Sequence, residues 1–273
     1  MDHSISRRQT MKLFCGLTVT GSLAGCTEDE AANNTTTTTQ GSTPTATQTT
    51  APSTGTAEPT ATEDTTTTTQ TTEQSDASGK SVSFSTNDGR TAKGTLYSSG
   101  SCAAILVPGD GYDRTAWEPQ ANAIAQEGHT ALAVTMDTDT PATKAKTIAG
   151  AVSYLRDEQG AKTVCAIGAS SGANAVVRAS TISGTTIDGS VIISAGGAES
   201  YARELSGRLL FIVGKNDETR YVQVTKGMHQ QASNPKRLEV LPTEGHGQGI
   251  FDTDQGDALQ NMIVEFSTTV CSG

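Results

Sequence analysis

Between residues 80 and 273, short apolar runs rich in β-branched residues recur with helix-like stretches between most of them. The runs are AAILVPG (103–109), HTALAVTMD (129–137), KTVCAIGAS (162–170), DGSVIISAGG (188–197), RLLFIVGKND (208–217) and KRLEVLPTEGHG (236–247). Helical spacing predicts helices over EPQANAIAQEG, 143–160, GANAVVRASTI, TRYVQVTKGMHQQA and 254–270. SVSFSTNDGRTAKGTLYSS ahead of them reads as two strands around an Asn-Asp-Gly turn. Strand runs apolar on both faces, alternating with helices, demand a mostly parallel central sheet covered by helices on both sides. The expected fold class is therefore α/β, in one domain spanning 80–273.

The rest of the chain cannot join that core. Residues 27–79 hold 22 threonines in 53 positions, eight acids and no lysine or arginine. Such a stretch buries too little apolar surface to offset its ordering entropy, and it reads as a disordered acidic stalk open to O-glycosylation. The sequons that begin at Asn33 and Asn34 fit an outward-facing stalk. Residues 1–26 read as an export signal. Arg7 and Arg8 precede LFCGLTVTGSLAG, which is too short and interrupted to span a bilayer. The paired arginines resemble a Tat signal, and Leu23 to Cys26 (LAGC) resembles a lipobox. That resemblance implies a lipidated Cys26 and a protein held on the outer face of the cell membrane. Arg7, Arg8 and Lys12 against Asp2 give the signal +2, and the stalk carries −8, which leaves −4 of the total −10 on the domain. This balance argues against nucleic-acid partners and suits a halophilic surface protein.

Ligands in such sheets bind beyond the carboxyl ends of the strands. Ser170, Asp217 and His246 all fall at such ends. A serine hydroxyl needs a base to become a nucleophile, histidine is the usual base near neutral pH, and a carboxylate orients the imidazole. Gly168-Ala169-Ser170-Ser171-Gly172 fits G-x-S-x-G, a sharp strand-to-helix turn that needs very small residues two positions either side of the serine. Ser170 has glycines there and Ser171 has alanines, so Ser170 is the candidate nucleophile. The backbone N–H of Ser171 is then a candidate oxyanion donor. His246 lies in the glycine-flanked EGHGQG loop, whereas His129 begins a strand run and His229 falls within a helix. Asp217 closes GKND, with Glu218 and Glu244 as alternative acids.

The elbow GASSG, the acid turn GKND and the histidine loop EGHG stand in the order found in the α/β-hydrolase superfamily, which the domain resembles over essentially all of 80–273. It is most similar to compact, capless members of the dienelactone-hydrolase-like group. The resemblance implies a Ser170, Asp217, His246 triad and a serine hydrolase without cofactor or metal. That group typically has cysteine at the nucleophile position, and serine here favours ester hydrolysis in general. Where many members read H-G-x, this chain reads Pro108-Gly109-Asp110-Gly111. The Asp110 N–H is the second candidate oxyanion donor, and its carboxylate is expected to point away from the site. The stretch from Gly197 to Gly207 is too short for a sizeable cap. Tyr112, Trp117 and Phe251 lie in loops that could line an open site or simply pack.

The expected partner is a small or exposed ester. A peptidase or amidase and a non-catalytic binding module are the alternatives. Three cysteines lie in the domain, and no pair has metal-ligand spacing. Cys165 reads as a core residue. Cys102 and Cys271 flank the two ends of the domain, and spacing leaves open whether they are bridged.

Overall fold

The computed structural model describes residues 79–98, 100–136 and 140–273. The export segment 1–26 with Cys26, and all of the 27–79 stalk except Gly79, lie outside the described residues.

Eight strands form one sheet: β1 (Lys80–Ser85), β2 (Thr91–Tyr97), β3 (Cys102–Val107), β4 (Thr130–Val134), β5 (Thr163–Ala169), β6 (Gly189–Ile193), β7 (Arg208–Gly214) and β8 (Lys236–Leu241). Their spatial order is β1-β2-β4-β3-β5-β6-β7-β8. β1 and β2 form an antiparallel hairpin, and β2 joins β4 antiparallel. The remaining pairings, from β4 across to β8, are parallel. Five α-helices lie among the described residues: α1 (Glu118–Gln126), α2 (Pro141–Ser153), α3 (Ser171–Ala179), α4 (Thr219–Gln231) and α5 (Gly256–Cys271).

Residues alternate across a strand, so each central strand feeds two cores. In β3, Ala103, Ile105 and Val107 face the core covered by Ile148 of α2, Val176 of α3 and Met228 of α4. Ala104 and Leu106 face the opposite core, with Ile124 of α1 and Ile263 and Phe266 of α5. Burial of every residue in β3, β4 and β6 accounts for the unbroken apolar runs read in the sequence. Trp117 is fully buried in the second core and meets Phe251 edge-on with ring centroids 5.7 Å apart. Of the three loop aromatics, Trp117 is therefore a packing residue and Tyr112 is exposed. The outer strand β8 carries Lys236, Arg237 and Glu239, charges that discourage edge-to-edge association.

A disulfide joins Cys102, the first residue of β3, to Cys271, the last of α5, with the Cα atoms 5.6 Å apart. His129 lies beside it, so that the imidazole and the two sulfurs fall within 4.8 Å of one another. The sulfurs are bonded to each other and therefore offer no thiolate pair to a metal. Cys165 is free and buried, and burial pushes its thiol up to about 12.

Candidate active site

The turn between β5 and α3 places Ser170. Its backbone sits at φ 53° and ψ −117°, a conformation that a residue with a side chain adopts only under strain of about 1–3 kcal/mol. The Ser170 N–H donates to Ile193 O of β6 at 2.8 Å, which anchors the turn at the strand end. The two flanking glycines are steric requirements. A Cβ on Gly168 would lie 2.6 Å from Gly172 O, and one on Gly172 would lie 2.4 Å from Val107 O. The tight strand-to-helix turn read from GASSG is therefore present, with Ser170 at its apex.

The acid and histidine segments meet beyond β7 and β8. The N–H of Lys215 donates to Leu241 O at 2.7 Å, and that of Asn216 to Thr243 O at 3.0 Å. These bonds bring the GKND turn against the loop that carries His246. His246 Nδ1 lies 2.9 Å from Asp217 Oδ2 and 3.2 Å from Oδ1. His246 Nε2 lies 2.8 Å from Ser170 Oγ. An ionised carboxylate only accepts, which puts the imidazole hydrogen on Nδ1 and leaves Nε2 to accept the Ser170 hydroxyl proton. The Asp217 side chain is 2% exposed and also accepts the Glu218 N–H at 2.7 Å. The Glu218 side chain is 73% exposed beside Arg220, and Glu244 is also exposed. Of the three acids named from the sequence, Asp217 is the one that contacts the imidazole. Asp217→Asn is expected to lower the turnover of an activated ester by about 10⁴-fold, because the amide favours the wrong imidazole tautomer. Glu218→Gln is expected to leave turnover within about twofold; comparable losses in both variants would reject the assignment.

The loop Pro108–Gly111 passes close against the elbow: a Cβ on Gly109 would lie 3.1 Å from Ser170 Cβ. The Gly109 N–H donates to Gln248 Oε1 at 2.9 Å. The N–H groups of Asp110 and Ser171 find no partner among the described residues. Asp110 turns its carboxylate to Lys144 and to the Ser171 hydroxyl. Those hydrogen bonds, Lys144 first, hold the Asp110 carboxyl below the usual carboxylate range.

Several residues around Ser170 and His246 carry no signal in the sequence. The Tyr221 ring of α4 lies 3.8 Å from the His246 ring, centroid to centroid, tilted by 42°. Asn174 Oδ1 accepts the N–H groups of Gly196 and Gly197 after β6, at 3.2 and 3.0 Å. Gln248 was in reach of the sequence, since it follows His246 by two residues. Tyr221, Asn174 and Lys144 were not, because helical positions in contact with a site look like any other. His229, half-buried on α4, packs against Phe211, and burial lowers its pKa. Between β6 and β7 only a short 3-10 turn, Glu199–Glu204, stands where a cap would insert, and the His246 side chain is 33% exposed. The site is open.

No protein-family model matches the chain, and no curated protein matches it in sequence. Solved structures match in fold. A dienelactone hydrolase from Anabaena variabilis aligns with a TM-score of 0.61 at 20% identity, covering 70% of this chain and 97% of that one. An esterase from Pyrococcus furiosus aligns at 0.60 and 16% identity, covering 70% and 91%. The esterase domain of a Rhodothermus marinus protein aligns at 0.55 and 15% identity, covering 69% and 99%. At such identities the likeness establishes the fold and nothing finer: this chain has the α/β-hydrolase fold.

Proposed function

We propose that the protein is a serine hydrolase acting on carboxylic esters, carried on the outer cell surface by a lipidated Cys26. The observation that carries the reading is the continuous chain of contacts from Asp217 through His246 to a strained Ser170. Three segments far apart in sequence converge on one hydroxyl, and hydrolysis is the chemistry that such convergence serves.

In the proposed reaction Ser170 Oγ attacks the ester carbonyl while His246 Nε2 takes its proton. Asp217 holds the imidazole and offsets the charge it acquires. The tetrahedral oxyanion accepts hydrogen bonds from the N–H groups of Ser171 and Asp110, the former at the positive end of α3. His246 then returns the proton to the leaving alcohol. Water attacks the acyl-enzyme by the same route and frees the acid. The Tyr221 ring beside the imidazole limits its motion and forms one wall of the site. The fold neighbours include proteins named esterase and dienelactone hydrolase, which supports hydrolysis as the reaction class. The absence of a large insertion after β6 favours substrates presented in the open, including bulky ones. The twin-arginine signal, the LAGC segment and the acidic stalk support attachment at the membrane surface.

A fluorophosphonate probe, which captures only an activated serine, tests the reading. Wild-type protein and Ser171→Ala are expected to label, while Ser170→Ala and His246→Ala remain unlabelled. A folded wild type that neither labels nor releases p-nitrophenol from short acyl esters would overturn it. Peptide cleavage faster than ester cleavage under matched conditions would shift the substrate class to amides.

A further inference from the structure

The second serine of GASSG has its own partners. Ser171 Oγ donates to Asp110 Oδ1 at 2.8 Å. Lys144 Nζ donates to that same oxygen at 2.5 Å and to Ser171 Oγ at 3.2 Å. Lys144 comes from α2, a third segment, and is only 9% exposed. Lysine is rarely so buried unless it is paired, and here its partner is the Asp110 carboxylate, whose side chain is 77% exposed. From the other side, Gln248 fixes the Gly109 N–H, one residue before Asp110.

The arrangement has a specific consequence. Asp110 and Ser171 are the two residues whose backbone N–H groups would receive the oxyanion. Their side chains are bonded to each other, and one ammonium grips both. The two residues that carry the donors are therefore tied together through their side chains. The same ammonium offsets an Asp110 anion that would otherwise oppose the charge developing on the substrate.

We propose that Lys144 is a positioning residue of the oxyanion hole, tying the Pro108–Gly111 loop to the start of α3 through Asp110 and Ser171. The inference rests on the serine-hydrolase reading above. It gives Lys144 a role without contact to substrate. Oxyanion donors act only when preset at the right spacing, so loosening the clamp weakens transition-state binding and leaves ground-state binding nearly unchanged.

The test measures p-nitrophenyl acetate hydrolysis by Lys144→Met, with active sites counted by fluorophosphonate labelling at completion. Met keeps the length of the side chain and removes the ammonium. The kcat per labelled site is expected to fall about ten- to a hundredfold, with KM within about twofold of wild type. Asp110→Asn combined with Lys144→Met, which removes both charges, is expected to regain part of that loss. A purely structural role would lower the number of labelled sites and leave the turnover of each unchanged. If Lys144→Met does not fold, Asp110→Asn alone reads the same clamp and is expected to lower kcat at constant KM. Turnover per site within twofold of wild type, or a raised KM at unchanged kcat, would overturn this inference while leaving the hydrolase reading intact. A wild type that neither labels nor turns over would overturn both.

Discussion

Ser170→Ala is expected to lower kcat/KM on p-nitrophenyl acetate by about 10⁴- to 10⁶-fold. His246→Ala should cost about as much. The double variant should cost little more than either single one, because the hydroxyl and the imidazole it contacts at 2.8 Å work as one unit. Ser171→Ala should lose no more than about tenfold, since it keeps the backbone N–H and forfeits only its bonds to Asp110 and Lys144. This contrast is the sharpest available, because the two serines are adjacent and equally nucleophilic in isolation. The strained backbone at φ 53° distinguishes them: it holds the Ser170 hydroxyl against the imidazole at the end of β5. Loss of activity in both alanine variants, or in neither, would contradict the assignment. Additive losses in the Ser170, His246 double variant would mean that the two side chains do not act together.

Replacing Cys102 and Cys271 together by alanine is expected to cost about 2–4 kcal/mol of stability. The bridge spans a sequence separation of 169 residues, so it restrains nearly the whole domain in the unfolded state. By the chain-entropy argument, long loops gain most from such a link. For a domain of this size the loss corresponds to a fall in Tm of roughly 4–16 °C. Urea denaturation of the wild type, with and without a phosphine reductant, should show the same difference as the double alanine variant. An unchanged midpoint would mean that the link leaves the unfolded ensemble unconstrained. Ester turnover at low temperature should be retained in either case, because β3 begins at Cys102, the opposite end of the strand from the Pro108–Gly111 loop.

The sequence by itself determined the class of fold, the candidate serine and histidine, and a choice of three acids. Runs apolar on both faces, separated by helical spacing, leave few arrangements besides a covered parallel sheet, and the eight-stranded sheet follows from them. Ser170 was legible because its turn has a steric signature: glycines two residues before and after, where a Cβ would strike backbone oxygen. His246 was legible because glycines flank the only domain histidine set in a loop of that kind. The acid was legible only as a group of three, since carboxylates in turns are common and sequence does not reveal burial. The structure brought Asp217 to 2.9 Å from the imidazole and left Glu218 in solvent.

Other features were decided by tertiary structure alone. The bridge between Cys102 and Cys271 depends on the end of α5 packing beside the start of β3, a contact no spacing rule encodes. Tyr221 reaches the histidine because α4 starts directly after the acid turn. Lys144 was invisible as a functional residue, because a lysine in an amphipathic helix reads as a solvated one. It is buried only because α2 packs against α3, which brings its ammonium to Asp110 and Ser171. Local patterns in a sequence reflect constraints that neighbours in the chain impose on one another, such as turn sterics and the period of an apolar face. Partners 27 and 34 residues apart, as Lys144 is from Ser171 and Asp110, meet only through the packing of whole elements. That is why the sequence named the candidate groups, and why only the fold revealed what packs around them.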